Sequence, residues 1–181
     1  MRPAEPGRTA LLDAGSALLA EADLPKLSVN AVVARAGMAK GSFYQHWPAR
    51  RDYLVALHRR FHDGLAEFVV AAMEGAAPGL PRIEAGMTAY LDGCLANPAT
   101  KGLLVQARTD SDLGPEVVAR NSAFAEIAVD ELVAAGWEDP EPIATLFIAM
   151  VAETALAELS DAAARPDLRA AVLRLVSVRA G

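Results

Sequence analysis

An all-α fold is predicted by three features of this sequence. Alanine, leucine, valine, arginine and glutamate dominate while isoleucine, threonine and tyrosine are scarce, a mixture that favours helix over sheet. Apolar residues recur at helical spacing in about nine segments, and no segment alternates as a half-buried strand does. With 181 residues, 53% of them hydrophobic, the chain can bury a substantial core in one domain, or in a small domain joined to a larger one.

The N-terminal third is predicted to hold a supporting helix and two short helices. The first helix spans about Arg8–Asp23 and carries an apolar stripe. Ser28 is a good N-cap for a short helix that Gly37 ends. The next short helix, Ala39–Trp47, closes at Pro48, because the residue before a proline is driven out of the α region.

The rest of the chain is predicted to be helical as well. A helix from about Ala49 to Gly75, roughly 40 Å long at 1.5 Å per residue, is followed by the clearest linker, Gly75–Pro81. We expect a small N-terminal domain over 1–48 and a second domain over 49–181, whose first helix connects the two. The remaining helices are predicted at about Arg82–Ala96, Ala99–Asp110, Pro115–Ala135, Pro140–Ala163 and Pro166–Val178.

Charge is divided unevenly along the chain. Residues 1–62 carry nine Lys/Arg and five acidic residues, whereas the remainder carries eight Lys/Arg and 18 acidic residues. A basic N-terminal end on an acidic body indicates a polyanion partner at that end, although charge also fluctuates along ordinary chains. The longest uncharged run, Pro142–Ala152, falls far short of the roughly 20 residues of a membrane span. No signal peptide is visible and Cys94 is the single cysteine, so we expect a cytoplasmic protein.

The two short helices, joined through a glycine and preceded by a supporting helix, have the layout of a helix-turn-helix. In the second of them Ala39, Phe43 and Trp47 recur every four residues and are expected to face inward. The outer positions hold Lys, Ser, Tyr, Gln and His side chains, which can donate to phosphates and base edges. Gly41 would let the helix backbone approach them closely.

At Leu27–Leu54 the sequence resembles the tetracycline-repressor (TetR) family without a gap. The positions of the family pattern are filled by Ser28, Ala36, Gly37, Lys40, Gly41, Ser42, Phe43, Tyr44, Trp47 and Arg50. The resemblance covers roughly Arg8–Phe61 and is one of architecture beyond it. Ala39 and Ala49 stand where the family usually has capping residues, and Arg50 replaces a common lysine.

The resemblance implies a homodimeric transcriptional regulator, usually a repressor, that binds a palindromic DNA operator through its helix-turn-helix units. Its C-terminal helices would dimerise and enclose a ligand. We expect this ligand to be a small, mostly apolar effector. The DNA contacts that the resemblance implies are Ser28, Lys40, Gly41, Ser42, Tyr44, His46 and Arg50. We add Gln45 from the helix faces.

The C-terminal helices offer candidates for both the effector site and the dimer contact. The candidate cavity residues are Met87, Tyr90, Leu91, Cys94, Leu104, Arg108, Phe124, Ile127, Trp137 and Met150. Among them Tyr90 and Arg108 have polar tips on apolar faces, which can orient a ligand. The candidate dimer residues are Ile143, Leu146, Phe147, Met150, Val151, Leu168, Val172, Leu175 and Val176. For both sets the alternative is plain monomer core.

Two side-chain patterns suggest other functions. Cys94 could be a redox sensor or nucleophile, and His58 with His62 has the i, i+4 spacing of a metal pair, but no base or further ligand stands near either in the sequence. No Gly-rich phosphate loop, nucleophile elbow or pair of catalytic carboxylates stands out. We therefore expect no enzyme, cofactor or metal. A C-terminal protein-interaction module without a small ligand, or a helical enzyme, remains the alternative.

Overall fold

The computed structural model describes residues 4–21, 27–97, 99–109 and 113–177. Over these residues it contains nine α-helices and no strand, which confirms the all-α prediction. The helices are α1 (Ala4–Ala20), α2 (Val29–Arg35), α3 (Lys40–His46), α4 (Arg50–Glu74), α5 (Leu80–Ala96), α6 (Ala99–Thr109), α7 (Gly114–Ala134), α8 (Pro140–Asp161) and α9 (Pro166–Ser177). The predicted helix ends near Asp23, Asp110 and Val178 lie outside the described residues.

The chain divides into two compact units. The N-terminal unit comprises 1–61 and 97–114, and the C-terminal unit comprises 62–96 and 115–181. The first part of α4 and all of α6 therefore belong with the N-terminal helices, and α6 packs on α1. The sequence-based boundary after residue 48 had placed both segments in the second domain. Apolar periodicity shows that a helix has a buried face, but not which partner covers it.

An aromatic cluster fills the core of the N-terminal unit. The rings of Phe43, Trp47 and Tyr53 are buried, with centroids 5.0–5.6 Å apart. The Tyr53 hydroxyl donates to the Leu11 carbonyl at 2.8 Å, and a Cβ on Gly15 would lie 1.9 Å from that hydroxyl. A side chain at position 15 would thus displace the tyrosine that joins α1 to α4.

The predicted inward face of α3 is confirmed for Phe43 and Trp47 and wrong for Ala39, which is exposed. Ala39 is the N-cap residue and has an extended backbone (φ −76°, ψ 150°). It therefore stands outside the helical periodicity from which its orientation was predicted.

Helix α8 is the central helix of the C-terminal unit. By length and composition it could cross a membrane, and it is the single such helix in the part of the chain that the structure describes. Core helices of globular proteins pass the same test, and α8 packs on α5 and α9 with Ala144, Phe147 and Ala155 buried. We therefore interpret α8 as a core helix.

A buried ion pair joins three helices of this unit. Glu158 of α8 is fully buried and accepts hydrogen bonds from Nε and Nη2 of Arg169 on α9, at 2.7 and 2.8 Å. The backbone N–H of Arg165 donates to the same carboxylate at 2.8 Å, and Nη1 of Arg169 donates to Asp92 of α5 at 2.7 Å. Bidentate pairing satisfies the buried carboxylate and raises the pKa of Arg169 above its ordinary value.

Candidate nucleic-acid interface and ligand cavity

Helices α2 and α3 form a helix-turn-helix whose turn is specified locally. The Ser28 hydroxyl oxygen accepts the Ala31 N–H at 3.2 Å and caps α2, as predicted. Gly37 in the turn has φ +64°, in the left-handed region that favours glycine. Helix α3 begins without a side-chain cap, because Ala39 has no side-chain acceptor.

One face of α3 points to solvent. Lys40, Gly41, Tyr44 and Gln45 are exposed, and their spacing places them side by side on the helix. Tyr44 is 49% exposed, with its ring packed edge-on against Phe43 at 5.4 Å. A Cβ on Gly41 would meet nothing within 4 Å, so no packing inside the described chain requires this glycine. Four of the eight predicted DNA contacts thus form one exposed face.

The other four predicted contacts are tied more closely to the protein. Ser42 and His46 are half-buried, and a Cβ on Gly7 of α1 would lie 3.1 Å from His46 Nε2. His46 therefore packs against the first part of α1. The Ser28 hydroxyl caps α2, and Arg50 is half-buried, so both have a structural role of their own.

Arg50 at the start of α4 holds the segment before α2. Its Nε donates to the Leu27 carbonyl at 2.7 Å, and Leu27 is 2% exposed. The neighbouring Arg51 is exposed. The Asp52 carboxylate accepts the Ala49 N–H at 3.1 Å, which is the reciprocal half of a capping box and satisfies a different donor from those that a side-chain cap at position 49 would accept. Sequence reasoning missed this bond, although an acid at the third helical position is the signal of a half capping box.

The C-terminal unit contains a cavity of about 60 Å³. Its lining comes from α4, α5, α7 and α8 and is mostly apolar. Four of the ten predicted cavity residues line it, namely Met87, Tyr90, Phe124 and Ile127. Sequence reasoning missed the contribution of α4, which includes His62, Val69 and Met73, and on α8 it named Met150 where Phe147 and Val151 line the cavity. The apolar stripe of the long helix was the available signal.

The remaining six predicted cavity residues lie elsewhere. Leu91 and Cys94 are buried on α5 and do not line the cavity, and Met150 is half-buried on α8. Leu104 and Arg108 lie on α6, in the N-terminal unit. The Trp137 indole N–H donates to the Val176 carbonyl at 3.0 Å and so joins the end of α7 to α9.

Cys94 has no thiolate character. The pKa of its thiol is raised to about 12, mainly by burial; a hydrogen bond with the Tyr90 hydroxyl lowers the pKa in part, and the nearby Glu158 carboxylate raises it. A thiol with this pKa is protonated at neutral pH, which argues against the nucleophile and redox-sensor alternatives. Among the described residues, no three His, Cys, Asp or Glu side chains gather as a metal site.

The predicted dimer residues fall into three groups. Leu146 on α8 and Leu175 on α9 are 61% and 60% exposed. Ile143, Met150 and Leu168 are half-buried. The other four are buried within the protomer itself, namely Phe147, Val151, Val172 and Val176. Only the first two groups therefore present surface to a second copy.

A capped helix-turn-helix with a polar outer face, in a chain whose described residues form an all-α fold, is typical of DNA-binding regulators. Residues 11–57 match the family of bacterial regulatory proteins, tetR family. The HTH-type transcriptional repressor LfrR of Mycolicibacterium smegmatis is 30% identical over 135 residues, which cover 74% of this chain and 67% of that protein. The chain belongs to the TetR family and is a transcriptional regulator with a DNA-binding domain.

Solved structures share the fold over nearly the whole chain. A transcriptional regulator from Rhodococcus sp. Rha1 has a TM-score of 0.73 at 20% identity, covering 96% of this chain and 99% of that one. A tetR-family transcriptional regulator from Streptomyces coelicolor has a TM-score of 0.69 at 20% identity, covering 95% and 78%. At these identities the likeness establishes the fold alone.

Proposed function

We propose that this chain is a repressor that binds a palindromic operator as a homodimer and leaves it when a small, mostly apolar effector binds. The observation that carries the proposal is the exposed face of α3, formed by Lys40, Gly41, Tyr44 and Gln45 over a buried aromatic core. The similar LfrR is named as a repressor, which supports the proposed direction of regulation.

Each side chain of this face has a role in the proposal. Lys40 neutralises phosphate, Gln45 offers its amide to a base edge in the major groove, and the Tyr44 hydroxyl donates to phosphate or base. Gly41 brings the helix backbone close to the duplex. Ser28, Ser42, His46 and Arg50 would add contacts at its rim. Two copies related by a two-fold axis would place their α3 helices in major grooves about 34–36 Å apart.

The switch would act through α4, whose sequence enters both units. The effector can change operator affinity only if it binds two dimer conformations unequally, and operator and effector must then weaken each other by the same factor. Mobility-shift titration on the DNA flanking its own gene tests operator binding. Effector titrations with and without operator test the switch. If the effector binds with equal affinity in the presence and absence of operator, the protein binds DNA but has no allosteric switch.

Gly41→Ala is expected to separate stability from DNA binding. A glycine in a helix interior costs about 0.5–1 kcal/mol relative to alanine, and Gly41 is the second residue of α3, so urea unfolding should show a variant more stable by up to about 0.5 kcal/mol. The new methyl group would stand between α3 and the duplex, so operator affinity should fall. Ala34→Gly, on the exposed side of α2, is the reverse control. It should lower the free energy of unfolding and leave operator affinity nearly unchanged. Unchanged operator affinity in Gly41→Ala would contradict close backbone approach.

Arg50→Ala is expected to lower both stability and the salt dependence of operator binding. Removal of the bond to the buried Leu27 carbonyl should cost about 1–3 kcal/mol in chemical unfolding. The slope of log affinity against log salt should flatten by roughly one unit for each phosphate that Arg50 no longer neutralises. Arg51→Ala, at the exposed neighbouring position, is the matched control and should leave stability unchanged. If Arg50→Ala destabilises the protein but keeps the parental slope, Arg50 has a structural role alone.

Leu146→Glu and Leu175→Glu are expected to weaken the dimer without unfolding the protomer. Both side chains are exposed in the single chain, and a carboxylate buried between two copies would lack a partner. Sedimentation should show a dissociation constant raised about tenfold or more, with parental circular dichroism. Phe147→Glu is the contrast, because its charge would enter the protomer core and unfold it. A parental dimer in both leucine variants would exclude this face.

A further inference from the structure

Three aromatic rings form one wall of the cavity. The Phe124 ring of α7 lies 6.3 Å from the His62 ring of α4 and 5.6 Å from the Tyr90 ring of α5, measured between centroids, and both contacts are edge-to-face. Each of three helices thus contributes one ring. Such a wall favours planar aromatic molecules, since offset and edge-to-face ring contacts add to the gain from apolar burial.

The described lining offers a ligand no permanent charge that is not already paired: Arg82 is bound to Glu131, and the other ionisable side chains are the rings of His62 and Tyr90. No Asp or Glu belongs to the described residues that line the cavity. Its one guanidinium, Arg82, donates from Nη1 to the Glu131 carboxylate at 3.2 Å and from Nε to the Ala76 carbonyl at 2.9 Å. Glu131 of α7 also accepts the Gly79 N–H at 2.8 Å, so the ion pair holds the loop between α4 and α5 against α7. Because Glu131 already balances the Arg82 charge, a ligand carboxylate at Arg82 would gain less than at an unpaired guanidinium.

Tyr90 supplies a polar atom of defined direction. Its hydroxyl hydrogen-bonds to Cys94, one turn further along α5. A phenolic oxygen that donates its proton keeps lone pairs with which it accepts a hydrogen bond. A ligand that offers one donor can therefore be oriented by Tyr90 without disturbing the bond to Cys94.

We propose that this cavity binds a compact, uncharged aromatic molecule with one hydrogen-bond donor, and that it rejects the carboxylate and ammonium analogues of the same ring. The inference rests on the proposed function in treating the cavity as the effector site. A volume of about 60 Å³ is smaller than the roughly 150 Å³ of an apolar cavity that takes up benzene, so one ring is the upper limit and its entry requires the flexible Met73 and Met87 side chains to move. Burial of an ionic group without a partner is strongly unfavourable.

Isothermal calorimetry on the 181-residue chain with phenol, toluene, benzoate, benzylamine and cyclohexanol at neutral pH tests the proposal. Phenol should bind at least tenfold more tightly than benzoate and benzylamine, and more tightly than cyclohexanol. In Tyr90→Phe, which keeps the ring, the advantage of phenol over toluene should disappear. Val118→Ala, at a highly exposed position on α7, should bind phenol as the parent does. Circular dichroism establishes that both variants are folded.

Three outcomes would overturn the proposal: benzoate or benzylamine binding as tightly as phenol, no binding of any probe, or Tyr90→Phe keeping the phenol preference. Operator binding by the same preparation is measured in parallel and is independent of all three. If phenol binds as expected but leaves operator affinity unchanged, the ligand class stands and the proposed switch fails. The two failures are therefore distinguishable.

Discussion

Tyr44→Ala and Lys40→Ala are each expected to weaken operator binding strongly while the dimer stays folded. Removing one good contact costs about 1–3 kcal/mol, and a homodimer is affected in both half-sites, so the total is about 2–6 kcal/mol, or roughly 30-fold and more. Both side chains are exposed on α3, so truncation leaves the core formed by Phe43 and Trp47 intact. Fluorescence anisotropy with labelled operator measures the affinity.

The two substitutions should differ in their dependence on salt and sequence. Lys40→Ala should flatten the salt slope and weaken all DNA sequences similarly, because a phosphate contact carries no sequence information. If Tyr44 contacts a base, Tyr44→Ala should lower specific binding more than non-specific binding. Lys101→Ala on α6 and Phe68→Ala on α4 remove an exposed lysine and an exposed aromatic elsewhere, and should bind as the parent does. Parental affinity in both α3 variants would exclude α3 as the recognition helix.

The helices could be predicted from the sequence because their ends are chemically marked. Ser28, Gly37 and Pro48 delimit the helix-turn-helix, and prolines stand at the start of α8 and α9. These signals act over a few residues and depend little on the rest of the fold. The outward positions of α3 followed from the same local reasoning, since Phe43 and Trp47 fix its inner face.

The tertiary partners of each apolar face could not be predicted in the same way. Phe147 and Leu146 are adjacent in one apolar segment of α8, yet the first is buried in the protomer and the second is exposed. Leu104 carries the same apolar signal as Met87 but lies on a helix of the other unit. Likewise, the bond from Arg50 to Leu27 joins residues 23 positions apart, and only the fold brings them together.

Arg169→Met is expected to destabilise the protein by about 3–5 kcal/mol, because it leaves the fully buried Glu158 carboxylate without its ionic partner. The substituent fills similar space, so the loss reflects the unpaired charge more than a cavity. Urea unfolding at fixed protomer concentration measures it, since dimer formation contributes to stability. Arg174→Met, on the same helix but exposed, is the matched control and should change stability by less than about 0.5 kcal/mol.

A second substitution distinguishes an unpaired charge from weakened packing. In the double variant with Glu158→Gln the buried group is neutral, yet its amide oxygen can still accept the Arg165 N–H. We expect this double variant to recover a large part of the stability that Arg169→Met loses, since breaking one side of a buried pair costs more than removing both charges. If the double variant is as unstable as Arg169→Met, the unpaired Glu158 charge does not explain the loss of stability. The loss then comes from the packing of the arginine stem between α8 and α9.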